Sequence, residues 1–427
     1  DGIAPNGATG RAYGKNSVHG FDLVFGAPKS VSLLRALSTD DVLIKALTEA
    51  HNTAVDAAME YLNNHVGYTR VHNSVTGQKD LVRLPGLVAA AYQHETSRAG
   101  DPHLHTHVLL FNKQARADGE MVSFDSKSLH DESRAAGMVY QATLRYEAHR
   151  LAAIEWGDID PYSGLGDVAG MPRDLITAAS QRSSALHEWA EANLIANDAD
   201  TLSAAQLSAA QKATRPAKPE HKPWPELRQE WADRFGPLEL DHTAQQQARH
   251  ARRTARGSRT DLETVLDAAR AAAADITKPA FTRADLIEAI GARLPIAIDG
   301  APQGPLGVLE VLADRMAVPL TAPRQAHQRE KYERFTTAPI IAEEAAIVAL
   351  MGASNPAAAL PATVIDTEDL SAEQARAITA IATSPWLVQP LSAPAGAGKT
   401  TSLRVLREAV ARSPGHDRVL VLAPTGR

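Results

Sequence analysis

The chain has 427 residues, of which 44% are hydrophobic and 22% charged, with a formal net charge of −6 and no cysteine. This is the composition of a soluble globular protein of about two or three domains, and it excludes a disordered chain, a disulfide framework and a cysteine-ligated zinc. A cysteine-free chain with no signal-peptide-like opening suits a reducing cytoplasm. The most apolar segment, from Ala338 to Met351, is interrupted by Glu343 and Glu344 and is too short to span a bilayer, so no membrane insertion is expected. The acidic balance runs mildly against a nucleic-acid binder, but net charge averages over domains and a basic groove can sit on an acidic protein.

The chain opens at Asp1 in a Gly/Asn-rich stretch without hydrophobic periodicity and stops at Arg427 directly after a strand-like run, so both ends read as cuts through a longer protein. Residues 20–35, GFDLVFGAPKSVSLLR, read as an alternating strand, a Gly-Ala-Pro turn and a helix start, with Ser30 or Ser32 as its cap. Helical periodicity follows over residues 38–66. The runs LPGLVAAAYQH (84–94) and LHTHVLLFN (104–112) read as buried strands, joined by ETSRAGDP, whose Gly100 and Pro102 mark a turn; the two form an antiparallel, hairpin-like pair. Residues 132–155 and 173–190 read as helices. Pro216, Pro219, Pro223 and Pro225 mark a boundary or an extended strap, and five arginines follow between Arg249 and Arg259. An Ala-rich helical region runs from Leu262 to about Met351, Pro356 and Pro361 mark a junction, and a strand–loop–helix–strand pattern begins at Leu370.

The segment HETSRAGDPHLHTH places His94, His103, His105 and His107 within fourteen positions. On a strand, His103, His105 and His107 share one face, and His94, ending the preceding strand, comes alongside across the turn. Neutral imidazole is the commonest protein metal ligand, and three of them leave positions open for a substrate oxygen, so the cluster reads as a divalent-metal site acting on a phosphoryl group. Magnesium, manganese and zinc all stay open as the ion. His103 adjoins the turn next to Pro102 and is expected to be the most exposed, which leaves His94, His105 and His107 as the ligands. A polar strand face without metal is the plain alternative, and four clustered histidines weigh against it.

Together with GFDLVFGAPKSVSLL, this segment resembles the TrwC/TraI (MobF) type of conjugative relaxase, of the HUH class of DNA-nicking enzymes. The two motifs stand in the family's order about seventy residues apart, and the likeness covers roughly residues 20–235, more weakly through SQRSSALHEWA and RQEWADRF. The resemblance implies an α+β relaxase domain, an antiparallel sheet flanked by helices. It implies metal ligation by the His of the H-E/D-T-S-R element and the two of L-H-T-H, here His94, His105 and His107, with Gln common where His103 stands. It gives Asp22 the task of orienting the histidines and assisting deprotonation of the nucleophile; a carboxylate beside a metal-bound imidazole fixes its tautomer and can accept a proton. It also implies single-stranded DNA at an origin of transfer as substrate and conjugation machinery proteins as partners. Lys29 and Arg98, beside the two motifs, are the candidates for binding DNA phosphates. The family's nucleophile is a tyrosine several tens of residues before the strand that matches residues 21–25. Tyr13 stands too close to Asp22 for that role and reads as an ordinary turn tyrosine. The chain is therefore expected to bind metal and DNA without nicking.

SAPAGAGKTTSLRVLREAV nearly fits the phosphate-loop pattern G-x-x-x-x-G-K-[ST], with Ala393 in place of the first Gly. Gly396, Ala397 and Gly398 let backbone N–H groups wrap the phosphates of ATP, Lys399 reaches toward the β- and γ-phosphates, and Thr400, followed by Thr401, meets Mg²⁺. RVLVLAP then reads as a buried strand of a parallel α/β core. LSAEQARAI and LAPTGR resemble the Q-motif and the next element of RecD-like helicases, which implies that Gln374 reads adenine. The later motor elements, among them the Walker B acidic pair, are absent, so ATP hydrolysis is not expected of this piece. The arginine run ARHARRTARGSR is a solvated helix face or linker, or else a phosphate grip.

The expected organisation is a relaxase domain over 1–240 without its tyrosine segment, a basic linker over 241–261, a helical connector or helicase accessory region over 262–360, and the start of a parallel α/β P-loop motor domain over 361–427. The expected function is that of a relaxase–helicase fragment. The rivals are a metal-dependent nuclease fused to an ATPase, with water as nucleophile, and a catalytically inactive DNA-binding scaffold.

Overall fold

The structure, a computed structural model, describes residue 7 and residues 13–193, 204–216, 222–256, 262–276, 278–295, 304–394, 396–413 and 420–421. Strand β1 (Gly20–Gly26) leads through Ala27 and Pro28 into helix α1 (Lys29–Leu37), followed by α2 (Asp41–Val66). Neither expected serine caps α1, because Pro28 holds the cap position and both serines lie inside the helix. The Ser30 hydroxyl accepts from the Val168 N–H at 3.0 Å, and Ser32 donates to the Pro28 carbonyl at 3.2 Å and accepts from the Leu104 N–H at 3.0 Å. Helix α2 is capped by Asp40, whose carboxylate accepts from the Val42 and Leu43 N–H groups.

Strands β2 (Tyr68–His72) and β3 (Lys79–Arg83) pair with each other, and β4 (Ala89–Thr96) pairs antiparallel with β5 (Pro102–Phe111). Strand β1 lies on the other edge of β5, giving the antiparallel order β1-β5-β4. Strand β4 starts at Ala89 and not at Leu84, since Pro85 and Gly86 interrupt the run and the Leu84 N–H bonds to the Gly67 carbonyl at 2.9 Å. Strands β6 (Lys113–Ala115) and β7 (Met121–Ser123) form a short hairpin before helix α3 (Ser126–Ala152).

One face of the sheet packs on α2 and α3. Phe25, Leu104, Val108 and Leu110 are buried there, and the Phe25 ring lies 5.6 Å from that of Tyr140 on α3. Each such side chain contributes about 1.5–3 kcal/mol by leaving water. The opposite face carries the histidines.

Strands β8 (Trp156–Ile159) and β9 (Gly166–Val168) pair, and helices α4 (Arg173–Ala178) and α5 (Gln181–Asn193) replace the single helix expected over 173–190. The break buries Ala179 with Leu33, Leu37 and Trp231, and the Ser180 carbonyl already accepts from Ser183 and Ser184 to start α5. Helices α6 (Ala204–Ala213), α7 (Trp224–Phe235) and α8 (His242–Arg256) follow. The stretch expected as a basic linker is thus helical. Its Arg249 and Arg252 pair at 3.2 and 3.0 Å with Glu155, which is 1% exposed, and a buried carboxylate demands such cations. The side chains of Arg253 and Arg256, and all of Arg259, lie outside the described residues.

Helices α9 (Leu262–Ala274), α10 (Arg283–Arg293) and α11 (Gly304–Met316) form the helical region expected there, and α10 and α11 pack on α3. Gly291 permits the approach, since a Cβ there would meet Met138 Cγ at 2.3 Å. The buried Arg145 of α3 donates to the carbonyls of Gly164 and Gly291. With the short pair β10 (Val318–Pro319) and β11 (Phe335–Thr336), these helices belong to one compact unit, Asp1–Thr337.

The second unit, Ala338–Arg427, contains α12 (Ala338–Met351), α13 (Ala372–Ala382) and α14 (Lys399–Ala411). Its core joins Ile378 of α13 to Val405, Leu406 and Ala409 of α14. The strand expected before the phosphate loop does not form, because among the described residues no strand lies beside residues 387–394 to share hydrogen bonds. Most of RVLVLAP and all of LAPTGR lie outside the described residues, and every sheet among the described residues is antiparallel. Among those residues no helix is long and apolar enough to cross a membrane.

Candidate metal centre and nucleic-acid interface

The strand register arranges the histidine face in rows. Gly26, His105 and His94 form one row across β1, β5 and β4, and Val24, His107 and Tyr92 form the next. The ligand atoms of His94, His105 and His107 all lie within 4.8 Å of one another. A register shift just past His94 interrupts the ladder before Thr96 pairs with Pro102, as a bulge does where a strand re-aims its side chains.

The Asp22 carboxylate accepts from His107 Nδ1 at 2.8 and 3.0 Å, and the His103 carbonyl accepts from His105 Nδ1 at 2.9 Å. Each contact fixes a tautomer and leaves Nε2 with its lone pair, the form that ligates metal. Burial lowers the His105 pKa, the hydrogen bond to the His103 carbonyl works against it, and His107 and His94 lower it further. The donor set, three imidazoles of which His105 and His107 have their Nδ1 anchored, fits a divalent metal ion.

His103 is not the most exposed of the four, as expected from its place beside the turn; His94 is. Helices cover the turn. Asp101 is fully buried and accepts from the Gln181 N–H at 2.9 Å and from Arg234 at 3.2 Å, and Trp231 Nε1 donates to the Gly100 carbonyl at 2.9 Å. The His103 ring stacks on that of His105 at 4.6 Å, and burial takes its pKa down to about 3.

Two supports were not legible locally. Behind the sheet, the buried His51 of α2 bonds Thr106 Oγ1 at 2.7 Å and the Tyr140 hydroxyl at 2.8 Å, which braces the residue between His105 and His107. Beside His94, Glu95 is paired with Arg35, which also donates to Thr48 Oγ1 at 2.7 Å and lies 4.2 Å over the Trp224 ring. Both supports join segments distant in sequence, so no motif announces them.

Lys29 and Arg98, the two phosphate candidates, line one cleft of about 690 Å³ with His103, Arg182, Lys212 and Arg215. The last three cations come from α5, α6 and the residues after α6, and sequence reasoning missed them. Lys29 Nζ donates to the Pro102 carbonyl at 2.7 Å; burial lowers its pKa and the Asp101 charge works against that. Arg182 is anchored on the Thr214 and Gln211 carbonyls at 2.7 and 2.9 Å.

In the second unit, Gly396 and Gly398 adopt φ of 79° and 73°, the left-handed region open to glycine, and α14 starts directly after them. Lys399 Nζ donates to the Ala393 and Pro394 carbonyls at 2.8 and 2.9 Å, and Thr400 and Thr401 are exposed at the helix start. Gln374 reaches the loop, but its amide donates to the Ala397 carbonyl at 2.8 Å.

The sequence profile of the TrwC relaxase family matches residues 1–238, and that of an AAA domain matches residues 369–427. Two curated relatives are each a multifunctional conjugation protein TraI. The one from Escherichia coli is 34% identical over 199 residues, and the one from Escherichia coli strain K12 is 31% identical over 192 residues. The matches cover 44% and 42% of this chain but 11% and 10% of the relatives, so the chain spans about a tenth of their length. Among solved structures, a metal-free complex of conjugative relaxase TrwC with oriT DNA is 30% identical, covering 54% of this chain and 79% of that one, with a TM-score of 0.46. A metal-bound structure of that complex is 29% identical, covering 54% and 77%, also with a TM-score of 0.46. The relaxase profile takes in more than half of the chain, which belongs to the TrwC relaxase family.

Proposed function

We propose that the chain is the relaxase–helicase region of a conjugation protein. Its first unit grips single-stranded DNA from an origin of transfer at a metal centre, and its second binds ATP with Mg²⁺. The observation that carries this reading is the set of three imidazoles within 4.8 Å on one sheet face, with Asp22 behind His107. Membership of the relaxase family and the likeness to conjugation proteins support it.

His94, His105 and His107 would hold the ion, whether zinc, manganese or magnesium. When bound, the ion supplies positive charge against a phosphoryl oxygen. Asp22 holds the His107 ring in one tautomer and is placed to accept a proton. Lys29, Arg98 and the other cations of the adjoining cleft neutralise flanking phosphates. Tyr13 is not assigned as nucleophile. Its hydroxyl donates to the His19 carbonyl at 3.2 Å, and its ring lies beneath Lys113, which follows the end of β5 farther from the triad, about 20 Å along the strand from His107. We assign binding of metal and strand to this chain, and cleavage and unwinding with ATP to the whole protein.

In the second unit, the backbone N–H groups of Gly396, Ala397 and Gly398 at the start of α14, beside Lys399, Thr400 and Thr401, would receive the phosphates once the Ala397 N–H releases the Pro394 carbonyl that it bonds at 3.3 Å. For Gln374 to read adenine, its amide must release the Ala397 carbonyl. Work in the cytoplasm with conjugation machinery proteins completes the proposal.

The test is calorimetric titration of Mn²⁺ or Zn²⁺ into the metal-free chain beside the double variant His105→Ala/His107→Ala. One-to-one binding that the double variant loses is expected, and a wild-type chain that binds neither ion overturns the reading. Incubation of the metal-loaded chain with a single strand of an origin of transfer then separates mechanisms. A protein-linked strand marks tyrosine chemistry, free new ends mark a water-using nuclease, and an intact bound strand is the expected result.

A further inference from the structure

The histidines occupy three corners of a two-by-two block. Across β4 and β5, His94 stands opposite His105, and Tyr92 stands opposite His107. Antiparallel partners share a sheet face, so Tyr92 is the fourth corner. Val24 of β1 flanks His107 on its other side. Tyr92 is 52% exposed and Val24 54%, and on β4 the neighbouring Ala91 and Gln93 are exposed as well, so this edge of the sheet is open to solvent.

The face changes character along β5. At its His103 end, Lys29, Arg98, Arg182, Lys212 and Arg215 surround a cleft. Tyr92 and Val24 flank His107 in its own row, and the next row contains Leu109, which is 37% exposed and paired with Ala90 and Asp22. An occupant of both parts must offer anionic groups to the cations and flat apolar faces to the aromatic ring. Single-stranded DNA does so, with phosphates along its backbone and bases that stack on aromatic side chains.

We infer that Tyr92 is a positioning residue whose ring stacks on the base adjoining the phosphate held at the triad. The inference rests on the single-stranded DNA reading above. Cross-strand partners have Cβ atoms about 4.5–5.5 Å apart, so the ring is close enough to His107 for one nucleotide to span both. The contribution comes from the ring and does not require the hydroxyl.

The test uses the full Mn²⁺-loaded chain and a mixed-sequence single strand with 5-iodouracil in place of thymine. Ultraviolet cross-linking followed by mass spectrometry is expected to place an adduct on Tyr92. Tyr92→Leu is expected to lose that adduct and about tenfold in affinity, while Tyr92→Phe and Tyr92→Trp stay within about twofold of wild type. All three variants should keep the wild-type Mn²⁺ isotherm, since Tyr92 supplies no ligand. Wild-type affinity in Tyr92→Leu overturns the stacking role and leaves the DNA reading standing. Equal loss in Tyr92→Phe and Tyr92→Leu also overturns it, by assigning the contact to the hydroxyl. A wild-type chain that does not bind the strand overturns the DNA reading, and the inference with it.

Discussion

The Asp22 carboxylate lies 2.8 Å from Nδ1 of His107, although the two residues are 85 positions apart in the chain. Val24, not Asp22, is the register partner of His107, so Asp22 reaches diagonally across the β1–β5 seam. A carboxylate in that place orients the ring and strengthens its Nε2 as a donor. Asp22→Ala is expected to lower metal affinity about 10–100-fold, and Asp22→Asn, which keeps an acceptor oxygen, less. Calorimetry with Mn²⁺ checks this, and unchanged affinity in Asp22→Ala would remove Asp22 from the centre.

His51 predicts how stability responds to acid. Burial, aided by the charges of Arg35 and His105, depresses its pKa to about 4, against 6.5 for the free group. Above pH 6.5 the ring is neutral in both folded and unfolded chains and has no pH effect. As pH falls from 6.5 toward 4, the unfolded chain takes up the proton and the folded chain does not, so stability declines by about 1.4 kcal/mol per pH unit from this group. Urea titrations at several pH values should show that His51→Gln reduces the slope in this window by about that amount.

A second histidine has the opposite sign. His65 of α2 lies 2.8 Å from both Glu310 and Glu330. Burial opposes its charge, but the hydrogen bonds to the two carboxylates prevail and raise its pKa to about 9. Its stabilisation is fully present below pH 6.5 and is lost as pH rises through 9. Glu310 is held at about 2 because hydrogen bonds from His65 and Arg283 outweigh burial, so its own contribution is present above its unfolded pKa and is lost as pH falls through about 2. His65→Ala is expected to cost about 2–3 kcal/mol at neutral pH and to flatten the decline of stability between pH 6.5 and 9. Thermal unfolding across that range measures both effects.

Gly398 is constrained twice. Its φ of 73° disfavours any side chain, and a Cβ would lie 2.4 Å from Gln374 Nε2. Gly398→Ala is expected to displace the loop and reduce ATP affinity at least about tenfold. Fluorescence titration with a labelled ATP analogue reads this, and unchanged affinity would place the nucleotide elsewhere.

The cationic cleft predicts a salt dependence. Arg98 and Lys212 are exposed on its rim. If each meets one phosphate, Arg98→Ala/Lys212→Ala should make the slope of log K against log salt shallower by about 1.4, at about 0.7 per phosphate for single strands. Fluorescence anisotropy at increasing salt gives the slope. An unchanged slope would mean that the strand does not pass through this cleft.

The sequence by itself brought out the four clustered histidines and the phosphate loop, but its ground for setting His103 aside, exposure beside the turn, did not hold. Alternation along HLHTH places three histidines on one strand face whatever surrounds it, and the glycines of AGAGKT are local requirements of a backbone turning at a helix start. The pairing of the two histidine strands was equally legible, since Gly100 and Pro102 mark the turn between them. Only the tertiary structure decided what packs around those elements. Exposure of His103 depends on α5 and α7 closing over a turn more than seventy residues earlier in the chain. The bracing of Thr106 by His51, the gathering of Arg182, Lys212 and Arg215 beside Lys29, and the placement of Tyr92 at the fourth corner each depend on strand register or helix docking. Local patterns encode which face a side chain takes, because that follows from backbone geometry. They do not encode its neighbours from distant segments, because those contacts exist only once burial of the shared core has brought the segments together.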